Sequence, residues 1–345
     1  MPLLVAYLIL VCLALLHRFY LYTTAKLTPA ALDADLPALT ALRTSLPASS
    51  MHHYYTRSWT CYTLLQHATH SGGMHSSLDL GPGLPRRGIQ PTLVLEKIVA
   101  ARAKRVLELG CGRGFCTAYL RALLPDVEFF AIDAVPEHIA YAKRNIPGAT
   151  FRVLDALELP SLSLKFDLVF AVESLCHLGS VDKVRALGNV VRRCLRPQGA
   201  LVVIDGFRAG RFAEAPRAQQ EAMRCAERAF QIERMLSPLE WEAAMQKEGM
   251  VLMSKRDLTR EVLPFWEKAW RACRVVAWAC ARWPWRRGSF AWVANVLAGD
   301  GRELDAARGS QMCWVANVLA GGAVAHALRD KGAAEYACLE FWSWA

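Results

Sequence analysis

Val106-Leu107-Glu108-Leu109-Gly110-Cys111-Gly112-Arg113-Gly114 is an apolar strand that runs into three alternating glycines, with a carboxylate two residues ahead of the first. Glycines in this pattern admit left-handed backbone and let a ligand approach the main chain closely. The next residues, Phe115-Cys116-Thr117-Ala118-Tyr119-Leu120, begin a helix, so strand end, turn and helix N-terminus converge as a site for a nucleotide-type cofactor. A dinucleotide turn would read G-x-G-x-x-G, with its third glycine at position 115. Phe115 stands there instead, and Glu108 would repel a pyrophosphate but suit a cationic amino group.

A doubly wound sheet places its ligand-binding side chains at successive carboxyl ends of parallel strands. The strand Val127 to Asp133 ends in a carboxylate roughly 20 residues beyond the glycines, the distance of a ribose-diol acceptor. A helix-capping aspartate is the competing reading. Thr150 to Leu154 forms a third strand ending at Asp155-Ala156, and a plain turn would explain that aspartate equally well. Phe166 to Val172 is a fourth strand. It delivers Glu173-Ser174-Leu175-Cys176-His177-Leu178 to the same edge. An amphipathic helix over Val181 to Leu195 follows, then the turn Arg196-Pro197-Gln198-Gly199 and the strand Ala200 to Asp205.

The E-x-G-x-G-x-G run at 108–114, the carboxylates at successive strand ends and the L-R-P-x-G turn before the fifth strand together resemble class I S-adenosylmethionine (SAM)-dependent methyltransferases over residues 91–262. The resemblance implies an α/β fold with a seven-stranded, doubly wound Rossmann-like sheet, and SAM as cofactor. Glu108, Gly110, Cys111, Gly112, Gly114, Asp133, Ala134, Asp155, Ala156 and Glu173 would form the cofactor site, with Asp155-Ala156 at the adenine edge and Cys111 chosen for its size. Methyl transfer from a sulfonium is a direct displacement, so alignment and exclusion of water matter more than acid–base groups. Glu173 and His177 are the catalytic candidates. His177 would take a proton near neutral pH, and Glu173 would orient it, hold a cationic group or steady a developing positive charge. The other reading makes His177 a supporting hydrogen-bonded group.

The segment Glu173 to Leu178 is similar to the E-x-x-x-H segment of sterol and tocopherol methyltransferases, which implies a lipid acceptor. Upstream, His53-Tyr54-Tyr55 and Gly73-Met74-His75-Ser76-Ser77-Leu78-Asp79 resemble the lid segments of this group and assign Tyr54, Tyr55 and His75 to the pocket. Core packing is the alternative for the two tyrosines. Ser76-Ser77 departs from the group's pattern, so the detailed acceptor does not carry over.

The chain of 345 residues is 54% apolar with a net charge of +10. Pro2 to Leu16 is almost wholly apolar and continues through Arg18, Tyr20 and Tyr22, enough for a single-pass anchor of about 20 residues over 1–24. A cleaved signal peptide is the competitor, although no Lys or Arg precedes the run. Arg18 and Lys26 after the segment place the catalytic domain on the cytosolic side of an endoplasmic reticulum or organelle membrane. Eleven cysteines without C-x-x-C spacing read as free thiols, with no metal expected. Residues 25–90 would form a linker and helical cap, with a helix over Met51 to Ala68 as the lid.

Beyond the fifth strand, Ala215 to Gln231 reads as helical, and Ser237-Pro238-Leu239-Glu240-Trp241 as a capped helix start. Gly249 to Thr259 would be the sixth strand, and Glu335 to Trp342 the last, antiparallel beside it. Residues 263–345 also carry Trp266, Trp270, Trp278, Trp283, Trp285 and Trp292 interleaved with arginines, as a membrane-surface segment would. Single-stranded nucleic acid is a weaker reading of that pattern, and a buried helix with snorkelling arginines a further one. Trp292 to Gly299 recurs letter for letter at Trp314 to Gly321, as a duplicated segment or an exposed loop would. The residues thus converge on SAM-dependent methylation of a hydrophobic small molecule at a membrane. A tethered enzyme for a polar metabolite and a non-catalytic adaptor are the alternatives.

Overall fold

The computed structural model describes residues 17, 20, 21, 24–45, 54, 55, 76, 78, 89–282 and 321–343. The opening strand is β1 (Arg105–Leu109), buried beyond its first residue. It lies between β2 (Glu128–Asp133) and β4 (Phe166–Val172), parallel to both, with Leu107 opposite Phe130 on one side and Val169 on the other. β3 (Thr150–Val153) extends the sheet outside β2, and β5 (Leu195–Arg208) lies beside β4. The last two strands, β6 (Met250–Asp257) and β7 (Ala334–Ser343), complete a seven-stranded sheet of order 3-2-1-4-5-7-6. β7 is inserted between β5 and β6 and runs antiparallel to both. The sheet is therefore mixed, as an antiparallel final strand requires.

Alternation along the strands sends side chains to opposite faces. Leu107, Leu109, Phe130, Val169, Ala171, Leu201 and Val203 meet Val184, Leu187 and Val191 of helix α5 and Trp241 of α7 on one face. Val106, Phe129, Leu168, Phe170, Val202 and Ile204 meet α2, α3, α6 and the start of α8 on the other. The helices are α1 (Pro29–Ser45), α2 (Ile89–Ala100), α3 (Phe115–Leu123), α4 (Pro136–Asn145), α5 (Val181–Cys194), α6 (Arg217–Ala229), α7 (Pro238–Lys247) and α8 (Thr259–Arg282). A helical segment at 321–328 precedes β7. Helix α5 starts where Ser180 accepts from Lys183 N, and α7 carries the full capping box of Ser237 and Glu240. The Arg196–Gly199 turn interrupts the β4–β5 pairing: Leu195 pairs with Phe166 and Ala200 with Leu168, and Gln198 takes a positive φ of 61°.

Most of the predicted anchor lies outside the described residues, as do the lid helix beyond Tyr54 and Tyr55, His75, and residues 283–320 with nearly all of the duplicated octapeptide. No described helix is long and apolar enough to cross a membrane. Part of the Trp/Arg segment packs against α1. Trp270 is 1% exposed. Its indole donates to Asp35 at 2.7 Å, and Arg274 pairs with the same carboxylate at 2.9 Å. Arg271 donates to Ala25 O at 3.0 Å and pairs with Glu267. These residues hold α8 against α1, because a Trp and an Arg on one helix face satisfy a buried acid as readily as they would meet a lipid headgroup.

Candidate active site

β1 has β2 on one side and β4 on the other, so the chain winds away from it in both directions and a crevice opens at the carboxyl ends of these strands. There the structure forms a cavity of about 810 Å³. Gly110, Cys111, Gly112, Asp133, Ala134, Asp155, Ala156, Glu173, His177, Tyr54 and Tyr55 all line it. Sequence positions from five separate segments are thereby brought together.

Gly110 has φ +66°, and a Cβ there would stand 2.5 Å from the Ser174 Cβ. Glycine is needed because the chain leaving β4 crosses directly over the turn, where Ser174 Oγ donates to Leu109 O at 2.9 Å. Asp133 ties the turn to β2: its Oδ2 accepts from Gly112 N and its Oδ1 from Val135 N, both at 2.8 Å. It does not cap α4, whose N-cap is Val135. Oδ2 retains a lone pair for a ligand hydroxyl, while Oδ1 also has His138 Nδ1 at 3.4 Å. Asp155 is exposed and accepts from Leu157 N at 2.8 Å, so it forms its turn and borders the cavity at once. Between these two acids, Val135, Leu154, Ala156 and Leu157 present an apolar wall suited to a flat ring.

Two predicted cofactor residues stand behind that wall. Glu108, expected to face a cationic group, is 2% exposed and turns its carboxylate into the start of α3, where it accepts from Thr117 N at 3.1 Å and from the Thr117 hydroxyl. Burial pushes its pKa up to about 8. Its role here is to fasten the strand end to the helix start. Gly114 likewise does not border the cavity; it sits as the N-cap of α3 against Ile146 and Phe151.

The catalytic candidates do not pair with each other. Glu173 accepts from Ser76 N with both oxygens at 3.0 Å and from Tyr336 Oη at 2.6 Å. Gln90 Nε2 in turn donates to Ser76 O and reaches Tyr336 Oη at 3.4 Å. Burial raises the Glu173 pKa, while the Tyr336 and Ser76 donors oppose that rise. His177 Nε2 lies 2.9 Å from Tyr55 Oη. Burial lowers the His177 pKa to about 4, so at neutral pH its imidazole is uncharged and a weak base. The Tyr55 ring meets both His177 and His138 edge-on, with centroids 5.5 Å apart in each case.

Sequence reasoning missed Asp205, Tyr336 and Ser76. Asp205 ends the predicted fifth strand and lines the cavity, where Cys176 N donates to its Oδ2 at 3.0 Å. Burial, with the neighbouring charge of Glu173, raises its pKa to about 7. Its position at a strand end was the available signal. Tyr336 had none, because its place beside Glu173 depends on the insertion of β7.

Past Glu173 and His177 the cavity becomes apolar, lined by Met223, Phe230, Ile232, Met235, Trp266 and Leu328 among others. Among the described residues no group of three or more His, Cys, Asp or Glu side chains is arranged to hold a metal ion.

Residues 106–199 match the family described as "Methyltransferase domain". A protein of Mycobacterium ulcerans (strain Agy99) named "Probable phthiotriol/phenolphthiotriol dimycocerosates methyltransferase 2" is 32% identical over 163 residues, which is 46% of this chain and 52% of that one. The 27-O-demethylrifamycin SV methyltransferase of Amycolatopsis mediterranei (strain S699) is 29% identical over 172 residues, 48% of this chain and 60% of its own length. The chain thus spans little more than half the length of these relatives. Neither carries the narrower likeness to sterol and tocopherol enzymes. In structure, the [4+2]-cyclase SpnF aligns with a TM-score of 0.58 at 18% identity, over 87% of this chain and 99% of that one, which shows a shared fold. With a matched stretch running from β1 into β5 of the 3-2-1-4-5-7-6 sheet, residues 106–199 are similar to the methyltransferase-domain family.

Proposed function

We propose that this protein transfers the methyl group of SAM to an apolar small molecule. The observation that carries the reading is the continuity of the cavity, which begins at the glycine turn, passes Glu173, His177 and Asp205, and opens into an apolar chamber. The cofactor's chemistry fits the first part: a ribose diol suits the carboxylate of Asp133, adenine suits the wall of Val135, Leu154, Ala156 and Leu157 beside Asp155, and a cationic methionine moiety suits a carboxylate-rich crevice. SAM, when bound, supplies an electrophilic methyl group. The chain's own residues align the acceptor and exclude water.

Glu173 is held by two donors, Ser76 N and Tyr336 Oη, so it fixes both over the reaction zone and contributes negative potential to it. Tyr55 and His177 form a second fixed pair on the other wall. Asp205, with a pKa near 7, is the carboxylate best matched to accept a proton from the acceptor at neutral pH. The named substrates of the two relatives are small molecules, which supports the same class here. The apolar residues 2–16 support a membrane anchor that presents the site to the cytosol, and cell fractionation tests that part.

The direct test incubates purified protein with methyl-labelled SAM and a total lipid and metabolite extract, with Asp133→Ala as the blank. Label in the organic phase supports an apolar acceptor. Aqueous label moves the reading to a polar metabolite, and SAM binding without any transfer to the extract moves it to a non-catalytic adaptor.

A further inference from the structure

Two helical segments lead away from the reaction zone. The start of α8 is pinned to Tyr336 in both directions, through Leu258 N to Tyr336 O at 2.8 Å and Tyr336 N to Thr259 Oγ1 at 3.1 Å. The segment at 321–328 ends against the approach to β7, where Ala333 N donates to Ala327 O at 3.0 Å. Along α8 the cavity-lining residues are Phe265, Trp266 and Ala269, and along the second segment they are Leu328, Val324 and Gly321. At 1.5 Å per residue, Ala269 lies roughly 15 Å along the axis from Thr259, and Gly321 roughly 10 Å from Leu328.

At that remote end the two backbones come together. A Cβ on Gly321 would stand 2.9 Å from the Ala269 Cβ and 3.7 Å from the Trp266 ring. Small residues at both positions allow this close approach.

The other faces of the same elements converge on one carboxylate. Asp35 of α1 accepts from Trp270 Nε1 at 2.7 Å and Arg274 at 2.9 Å on α8, and lies 3.0 Å from Nε2 of the fully buried His326. No described side chain of α1 borders the cavity. The helix lies outside it and packs Leu32 and Leu39 on Ala222, Cys225 and Ala226 of α6 and on Ala323. Arg43 pairs with Glu221 of α6 at 2.6 Å. A strap of this form fixes the spacing of α6, α8 and the 321–328 segment from behind.

We propose that the Ala269–Gly321 contact is the end stop of the acceptor chamber and sets the longest apolar chain it admits, with Asp35 as the positioning residue that keeps the stop closed. The inference rests on the chamber being the acceptor site, as the proposed function has it. It predicts specificity by length, decided by side-chain volume at one remote contact.

The test displaces the neutral dye Nile red from the full chain with straight-chain primary alcohols from octanol to hexadecanol, with S-adenosylhomocysteine affinity measured in parallel as the folding control. Wild type should show a cut-off in chain length. Ala269→Leu should shorten the longest alcohol that binds by about three carbons, the number added to the side chain, and Ala269→Gly should lengthen it. Asp35→Asn should abolish the cut-off, an effect that general destabilisation does not produce, and should speed amide exchange in α8 and at 321–328 while leaving β1 to β4 unchanged. An unmoved cut-off in Ala269→Leu, with S-adenosylhomocysteine still bound, overturns the end stop. Wild type that binds S-adenosylhomocysteine but yields no dye to any alcohol also overturns it, and leaves methyl transfer standing. Failure to bind S-adenosylhomocysteine sinks the methyltransferase reading alone, and a shifted cut-off then still supports the stop.

Discussion

Glu108 shows how a motif residue can serve the fold as well as mark a site. An acid before a glycine turn suggested a partner for a cation, yet the carboxylate serves Thr117 inside the protein. Its folded pKa of about 8 exceeds the ordinary 4.5. Below about pH 4.5 both folded and unfolded chains carry the proton and burial is not penalised. As the pH rises toward 8 the unfolded chain ionises first, so stability falls across that window, by a few kcal/mol at most. Glu108→Gln retains acceptors for Thr117 and removes the ionisation. Urea midpoints should therefore favour the variant over wild type increasingly from pH 4.5 to 8, and a constant difference would reject the buried acid. Tyr336→Phe tests the donor on Glu173. Losing a hydrogen bond to a buried carboxylate costs about 1–3 kcal/mol, seen as a lower denaturation midpoint and as weaker methyl transfer with Asp133 contacts intact.

At the scale of elements, α5 was legible from its amphipathic period and α7 from a local start signal. Ser237 caps α7 from one position ahead of it, and Glu240 completes the box. Ser237→Ala should lower unfolding free energy by about 1 kcal/mol in a urea titration, with the sheet unchanged by circular dichroism. Strands β1, β2, β4 and β5 were equally readable, since buried strands are continuous apolar runs ending at polar residues, whereas β3 is exposed at all but Phe151. What the sequence did not reveal were contacts made across the insertion of β7. Tyr336 pairs in register with Gly206, and that brings a residue of the last strand to the end of the fourth. No periodicity encodes such a meeting. The inward packing of Trp270 and Arg274 was illegible for a related reason: composition specifies a helix with two kinds of surface, and the position of Asp35 on α1 decides where these two side chains go.

At the scale of the molecule, the cavity joins a glycine turn made by β1 and β2 to a chamber made by α6, α8 and the 321–328 segment. A ligand bound only by the folded state raises stability by RT ln(1 + [L]/Kd), about 2.7 kcal/mol at a hundredfold excess over Kd. S-adenosylhomocysteine should accordingly raise the melting temperature of wild type by several degrees. Asp133→Ala should lose most of that shift, and a full shift in the variant would remove Asp133 from the cofactor site.

The strand order also bears on how the protein is made. Among the described residues β6 has β7 as its one strand neighbour, and β7 follows it late in the chain. A nascent polypeptide on the ribosome can pair β1 to β5 as they emerge, but β6 must wait with its amides unpaired. The arrival of β7 then closes the sheet and delivers the Tyr336 hydroxyl to Glu173 in one step. A chain interrupted before β7 would hold the glycine turn and Asp133 but lack the finished reaction zone, so prematurely terminated product is silent in methyl transfer and marked for disposal by its own exposed edge.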